Sequence, residues 1–137
     1  MFSLSRKREH LKYCEMSEIR SFKDLNCWKK GKEIRQKISE LIKTFPDHEK
    51  YDLVSQMRRA SRSVTHNIAE GYGRFHFQEN IQYCRTSRGS LYELIDQVDF
   101  AESEKYITLE VAHQLEKELL ENIKIINGYI RYLNNAK

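Results

Sequence analysis

Apolar residues recur at steps of three and four along most of the chain, which is the spacing that forms one buried face on an α-helix. This pattern predicts four long helices, at about residues 22–44, 51–72, 77–103 and 108–135. The chain contains one proline and five glycines, so few residues interrupt these helices. Long helices joined by short loops pack as antiparallel neighbours. We therefore predict an all-α fold, an up-down-up-down antiparallel four-helix bundle over residues 21–137.

The core is predicted from the apolar stripe of each helix. The first two helices contribute Leu25, Trp28, Ile34, Ile38, Leu41, Phe45, Leu53, Met57, Ala60, Val64 and Ile68. The last two contribute Cys84, Ser87, Leu91, Leu94, Val98, Ala101, Ala112, Leu115, Leu119, Ile123, Ile126, Ile130 and Leu133. Tyr129 and Tyr132 lie off the stripe of the fourth helix, so we expect them at a subunit interface.

Local signals mark the ends of the helices. Asp24 is a suitable N-terminal cap for the first helix, and Thr108 is one for the fourth. Pro46 ends the first helix, because the residue before a proline is pushed out of helical geometry. The second helix is predicted to end at Glu70–Gly73, where glycine adopts the left-handed conformation of a C-terminal cap at little cost.

Small residues within two of the helices predict close packing. Gly31 costs about 1 kcal/mol relative to alanine in a helix interior, and the close approach of another helix would offset that cost. The middle of the third helix has small side chains, at Ser87, Gly89 and Ser90. We expect the helix that bears Gly31 to pack there.

Positive charge is concentrated in one part of the chain. Residues 54–88 contain six arginines and two glutamates, a net charge of +4 that equals the charge of the whole protein. Residues 1–53 have a net charge of +4, and residues 89–137 have a net charge of −4. The amino-terminal part can therefore contact a polyanion, which the carboxy-terminal part would repel.

Several classes of site lack their sequence signals. Cys14, Cys27 and Cys84 have neither the spacing of a zinc site nor that of a disulfide frame, and they fit a reducing compartment. No apolar run predicts a signal peptide or a membrane-spanning helix. We expect a cytoplasmic protein with no cofactor and no metal, which binds neither a membrane nor a small-molecule substrate. Residues 1–20 are expected to be a poorly ordered extension.

Six arginines are the candidate functional residues: Arg58, Arg59, Arg62, Arg74, Arg85 and Arg88. Arginine favours planar bidentate contacts to phosphate or carboxylate groups. The cluster fits three interpretations: a patch that binds nucleic-acid phosphates, a salt-bridge layer between subunits, or a solvated face with intrahelical partners. Arg58 and Arg62 lie one turn apart on one flank of the second helix, and Arg59 lies on the other. The sequence leaves all three interpretations open.

Two further features bear on function. Aromatic residues near the arginines could stack on unpaired bases or pack at the helix junction; these are Tyr72, Phe75, Phe77 and Tyr83. An enzymatic alternative rests on Arg59 and His66, which lie two turns apart on one helix face. Such a pair could stabilise a cyclising phosphate and transfer a proton, as in a helical ribonuclease. An exposed or hydrogen-bonded histidine without catalytic role is the other interpretation, so we expect no enzymatic activity.

The sequence resembles a known family in four places: Phe22-Lys-Asp-Leu25 with Trp28, Ser55-Gln-Met-Arg-Arg-Ala60, Asn67-Ile-Ala-Glu-Gly-Tyr-Gly-Arg74, and Gly89-Ser90 with Glu93-Leu94. The family is that of bacterial four-helix bundle proteins encoded within intervening sequences of 23S ribosomal RNA genes. It is similar to the accessory variability protein of diversity-generating retroelements. The resemblance covers about residues 18–135.

The resemblance implies a homo-oligomeric ring, typically a pentamer, with a basic surface that binds RNA or DNA and with no attached enzymatic activity. The alternative is a structural or protein-interaction bundle whose arginines form subunit interfaces. Thr65 stands where the family usually has a proline, and His66 stands where it has a small residue. The second helix is therefore expected to be straighter here than in other members.

Overall fold

The computed structural model describes residues 19–136. Four α-helices make up most of this range: α1 (Asn26–Leu41), α2 (Leu53–Gly73), α3 (Phe77–Ser103) and α4 (Leu109–Asn135). Short 3-10 turns flank α1, at Phe22–Asp24, Ile42–Thr44 and Asp47–Glu49. The described part of the chain contains no β-strand. The predicted extension at residues 1–20 lies outside the described residues, apart from its last two positions.

The helices form a ring of neighbours in chain order. α1 packs against α2, α2 against α3, α3 against α4, and α4 closes the bundle against α1. Short connections at residues 74–76 and 104–108 join the last three helices, so these helices run antiparallel. The predicted all-α, up-down-up-down four-helix bundle is confirmed.

The core consists of the predicted apolar stripes. Every predicted stripe residue is buried except Trp28 and Leu41, which are half-buried against the same core. Cys27, Ile42 and Ile81 are further buried members of the core. Burial of one large aliphatic side chain contributes about 1.5–3 kcal/mol, so the four stripes supply the main driving force for this packing.

The ends of the first helix differ in detail from the prediction. The N-cap of α1 is Leu25, not Asp24, and it makes no side-chain cap bond. Ser21 caps the preceding 3-10 turn Phe22–Asp24, and its hydroxyl accepts a backbone hydrogen bond at 2.9 Å. Asp24 completes a capping box, because its carboxylate accepts hydrogen bonds from the backbone N–H groups of Arg20 and Ser21. Phe45 is extended, with ψ of 155°, as expected for the residue before Pro46.

The predicted glycine cap at the end of α2 is wrong. Neither Gly71 nor Gly73 has a positive φ, and the helix runs through both of them. The left-handed residue is Phe75, with φ of 60°. Packing explains Gly71 instead, since a Cβ there would lie 2.7 Å from Asn80 Oδ1 and 2.8 Å from Tyr83 Cβ. This glycine lets α2 and α3 approach closely where their contact begins.

Gly31 lies at a close approach of α1 to α2. A Cβ at this position would lie 3.0 Å from Thr65 Cγ2 and 3.1 Å from Val64 Cγ1. The small residues of α3 pack against α2, not against α1, and Ser87 Oγ donates to the Val64 carbonyl oxygen at 2.7 Å. A Cβ on Gly89 would meet no atom within 4 Å. The predicted contact between α1 and this part of α3 is wrong, because these helices lie diagonally across the bundle.

The fourth helix begins as predicted, but one of its tyrosines lies in the core. Thr108 caps α4, and its hydroxyl accepts a hydrogen bond from the Val111 N–H at 3.1 Å. Tyr129 is 6% exposed, and its hydroxyl accepts a hydrogen bond from Asn80 Nδ2 at 3.1 Å. The expectation that Tyr129 lies at a subunit interface is therefore wrong. Tyr132 is half-buried and stacks on Tyr129, with 6.4 Å between the ring centroids.

The described residues include two buried free thiols, Cys27 and Cys84. Burial raises the pKa of each thiol to about 12, so both are protonated at neutral pH and are poor nucleophiles. In residues 19–136 no group of three His, Cys, Asp or Glu side chains is arranged to hold a metal ion. None of the helices in this range has the length and apolar character needed to cross a membrane.

Candidate nucleic-acid interface

Charge divides the bundle into two layers. α1 carries five basic and two acidic residues, and α2 carries three basic residues and one acidic residue. The α1–α2 layer therefore has a net charge of +5. α3 carries two basic and five acidic residues, and α4 carries three basic and four acidic residues. The α3–α4 layer therefore has a net charge of −4. A polyanion is attracted to the first layer and repelled by the second.

Two of the six candidate arginines meet a third arginine in a groove between α1 and α2. Arg58 and Arg62, one turn apart on α2, line this groove together with Arg35 of α1. Its volume is about 180 Å³, and its remaining lining residues are Gln36, Ser39, Ile42 and Ser61. None of the lining residues is acidic. We call this site the arginine groove.

A hydrogen bond across the helix pair fixes Arg35. Its Nη1 atom donates to Thr65 Oγ1 at 2.8 Å, and the same hydroxyl donates to the Arg62 carbonyl oxygen at 3.2 Å. Thr65 is only 3% exposed, so its hydroxyl is held in place by the surrounding helices. A proline at this position could not accept the bond from Arg35.

Arg35 was absent from the candidates chosen from the sequence. Helical spacing assigns a residue to a flank of its own helix, but it does not say which helix will cover that flank. One signal was available: Arg35 follows Gly31 by four residues, so the two share a face. That signal places Arg35 at a helix contact, but the helix predicted beside Gly31 is α3, whereas both residues contact α2.

The flank of α1 that faces α4 is neutralised by carboxylates. Lys37 forms an ion pair with Glu118, which is 6% exposed, and Lys30 lies 3.5 Å from both Glu118 and Glu121. Burial acts to lower the pKa of Lys30, but Glu33 and the two α4 carboxylates outweigh that effect and raise it. The charges of Lys30 and Lys37 are therefore balanced by α4, whereas Arg35 lies on the flank that faces α2.

Arg59 and His66, the two residues of the ribonuclease hypothesis, have different surroundings. Arg59 is exposed and forms no hydrogen bond or ion pair within residues 19–136. His66 Nε2 lies 4.0 Å from Glu70 Oε1, and His66 lines a shallow groove with Glu70 and Arg74. Arg59 is not part of that lining. The structure does not bring the pair into this groove together.

Arg74 is engaged by its own neighbours at the junction of α2 and α3. Its Nη2 atom donates to the Tyr83 hydroxyl at 2.8 Å and lies 3.6 Å from Glu70 Oε2. The guanidinium carbon lies 5.3 Å from the centroid of the Tyr83 ring, a distance at which cation–π attraction contributes. The charge of Arg74 is therefore partly neutralised within the protomer.

The two candidate arginines of α3 lie away from the arginine groove. Arg85 is exposed, and its Nη1 atom donates to Gln82 Oε1 on the same helix at 3.0 Å. Arg88 is half-buried, and its Nη1 atom donates to Asn127 Oδ1 of α4 at 2.8 Å. Since α3 and α4 form the opposite layer of the bundle, the six candidates do not make one continuous surface in a protomer.

The aromatic residues near the arginines fall into two groups. Phe75 and Phe77, in and after the α2–α3 connection, are 92% and 43% exposed. Tyr72 is half-buried against the core, and Tyr83 is half-buried and bonded to Arg74. Only the two phenylalanines present rings that an external base could stack on.

The sequence matches a family model over most of its length. The model describes the 23S rRNA-intervening sequence protein family, and it matches residues 23–128. The chain belongs to this family. The match covers all of α1, α2 and α3 and most of α4, so the resemblance expected from the four sequence motifs is confirmed.

A solved structure has the same fold as this member of the intervening-sequence family. It is the crystal structure of a protein with unknown function from the S23 ribosomal protein family of Bacteroides thetaiotaomicron VPI-5482. The two chains are 20% identical, with a TM-score of 0.71, and the similarity covers 77% of this chain and 95% of the other. At this identity the likeness supports the fold alone. No curated protein matches the sequence.

Proposed function

We propose that this protein is a non-enzymatic, cytoplasmic homo-oligomer, a pentamer as its family resemblance implies, that binds RNA or DNA through the α1–α2 layer. The arginine groove carries this proposal, because Arg35, Arg58 and Arg62 converge there without an acidic neighbour. Guanidinium groups match the geometry of phosphate oxygens and remain charged at all physiological pH values. Contacts to phosphates carry no direct sequence information, so little sequence preference is expected.

The other candidate arginines contribute unequally to this surface. Arg59 is exposed on α2 without a partner in the described chain, so it extends the positive surface beyond the groove. Arg74 and Arg88 contribute less, because Tyr83 and Asn127 already occupy donors of their guanidinium groups. Arg85 lies on the negatively charged layer and is expected to contribute least.

Substitution of Arg58 and Arg62 together by glutamine tests the proposal. Loss of two phosphate contacts should lower the affinity for unrelated RNA and DNA oligonucleotides to a similar degree. It should also flatten the slope of log affinity against log salt by about two units at most. Fluorescence anisotropy across a range of salt concentrations measures both quantities.

The matched control replaces Lys124 and Arg131 by glutamine. Both residues are exposed on α4, so the control removes the same charge from the opposite layer and should leave the salt slope unchanged. An equal loss of affinity in the control would mean that overall charge, not the α1–α2 layer, attracts nucleic acid. Absence of binding by the parent protein at low salt would overturn the proposal.

A second candidate function is a protein-interaction bundle whose arginines pair with acidic groups of a neighbouring subunit. The favouring observation is the segment 89–104, which contains five acidic residues and no basic one. Tyr92 and Phe100 of this segment are 54% and 46% exposed, as suits the apolar part of an interface. Loss of the oligomer in the Arg58 and Arg62 double variant, with no nucleic-acid binding by the parent, would favour this function.

A further inference from the structure

The arginine groove combines small size with unbalanced charge. It lies between two packed helices, and its volume of about 180 Å³ is below the roughly 300 Å³ at which pockets for whole small molecules begin. It therefore suits a small charged group, not a complete nucleotide. Ile42, which is 3% exposed, forms part of its lining, so a bound anion would be partly shielded from water.

Three guanidinium groups line one small groove, and an anion bound among them would relieve their mutual repulsion. The guanidinium groups of Arg58 and Arg62 form no hydrogen bond or ion pair with any described residue. Arg35 uses Nη1 for Thr65, which leaves most of its five N–H donors free. By contrast, Lys30 and Lys37 of α1 converge on a carboxylate, that of Glu118.

The arrangement of Arg35 is suited to binding without further ordering. The long arginine side chain loses conformational entropy when a ligand fixes it, but the bond to Thr65 already restrains Arg35 in the described structure. Arg58 and Arg62 then approach from the other wall, on α2. A ligand with oxygens in several directions can thus accept hydrogen bonds from both helices at once.

We propose that the arginine groove is a subsite for one phosphate group, with Arg35, Arg58 and Arg62 as its ligands and Thr65 as the residue that positions Arg35. The proposal rests on the proposed function for the source of the phosphate, which is a nucleic acid. It adds a specific site to a general basic surface, and it includes a residue of α1 that belongs to no arginine cluster in the sequence.

The first test measures the affinity of Arg35→Gln for short single-stranded oligonucleotides. Loss of one charged hydrogen-bond partner should lower the affinity at least about tenfold and reduce the salt slope by about one unit. Arg131→Gln, which removes the same charge from the exposed surface of α4, is the matched control and should bind like the parent. Parental affinity of Arg35→Gln would overturn the subsite but leave the proposed function standing.

The second test separates the positioning role of Thr65 from its role in packing. Thr65→Val keeps the methyl group that contacts α1 at Gly31 but removes the hydroxyl that accepts the Arg35 bond. Thr65→Ser keeps the hydroxyl and removes the methyl. We expect weaker oligonucleotide binding in the valine variant and near-parental binding in the serine variant, whichever of the two is the more stable in urea. The reverse order of affinities would overturn the positioning role.

The third test identifies the source of the phosphate and separates the two proposals. Equal affinity for oligonucleotides with and without a 5′-phosphate assigns an internal phosphodiester, and preference for the phosphorylated form assigns a terminal one; either supports the subsite. If the parent binds no oligonucleotide, titration with inorganic phosphate should still shift the amide NMR signals of the groove residues in the parent, but not in Arg35→Gln. Absence of those shifts would overturn the subsite together with the proposed function.

Discussion

Gly71 and Gly89 show that one residue type can have opposite effects at two helical positions. Both lie inside helices, in α2 and α3, and neither has a positive φ. A side chain on Gly71 would collide with Asn80 and Tyr83 on the adjacent helix, whereas a side chain on Gly89 would meet no atom within 4 Å. Glycine is thus required by packing at the first position and costs helix stability at the second.

Substitution of these glycines by alanine should change stability in opposite directions. Gly71→Ala should lower the free energy of unfolding by about 1–3 kcal/mol, because the clash with α3 forces the helices to shift. Gly89→Ala should raise it by about 0.5–1 kcal/mol, because alanine favours the helix and meets no neighbour. Urea unfolding measures both. Shifts of the same sign would show that contact between α2 and α3 is not what requires Gly71.

At the scale of one element, α4 shows how strictly the bundle separates buried from exposed positions. Leu119 is 0% exposed, but the next residue, Leu120, is 41% exposed. Successive residues of a helix point about 100° apart, and at this position of α4 that step carries Leu120 out of the core that buries Leu119. The heptad of α4 therefore determines which of the two contributes to folding.

Truncation of the two leucines tests this difference. Leu119→Ala should lower the free energy of unfolding by about 2–5 kcal/mol, since it leaves a cavity in the core. Leu120→Ala should change it by less than about 0.5 kcal/mol, as surface substitutions usually do. The comparison uses the denaturant midpoints of both variants, measured at the same low protein concentration. Similar losses in both variants would mean that the assignment of the α4 faces is wrong.

At the scale of the whole molecule, the bundle consists of two layers of opposite net charge. The α1–α2 layer has a net charge of +5 and the α3–α4 layer has one of −4, so the positive layer of one copy attracts the negative layer of another. Tyr92 and Phe100 expose apolar surface on the negative layer. A contact between unlike surfaces of identical chains closes into a ring when the rotation permits it.

We therefore expect a homo-oligomer in solution, with a pentamer as the assembly implied by the resemblance. Light scattering at micromolar concentration should give a mass of five protomers. Because the attraction between layers is electrostatic, the oligomer should dissociate more readily as the salt concentration rises. A clean monomer mass at low salt would contradict both the assembly and the role of charge in it.

Two of the three arginines in the groove could be chosen as candidates from the order of residues alone. Arg58 and Arg62 are candidates as members of the cluster of six arginines, and their spacing places them on one flank of an amphipathic helix. Arg35 and Thr65 could not be joined in the same way, since they lie 30 residues apart and on different helices. A helical pattern gives the flank on which a residue lies, but only packing decides which helix covers that flank.

The same distinction separates what the sequence determined from what the tertiary structure decided. Periodicity of apolar residues determined the four helices, their buried stripes and the up-down order of the bundle, because burial of one face per helix depends on spacing along the chain. Contacts between helices decided that Gly71 serves packing instead of capping, that Tyr129 lies in the core beside Asn80, and that three arginines share a groove. These outcomes depend on distances between helices, which no local pattern contains.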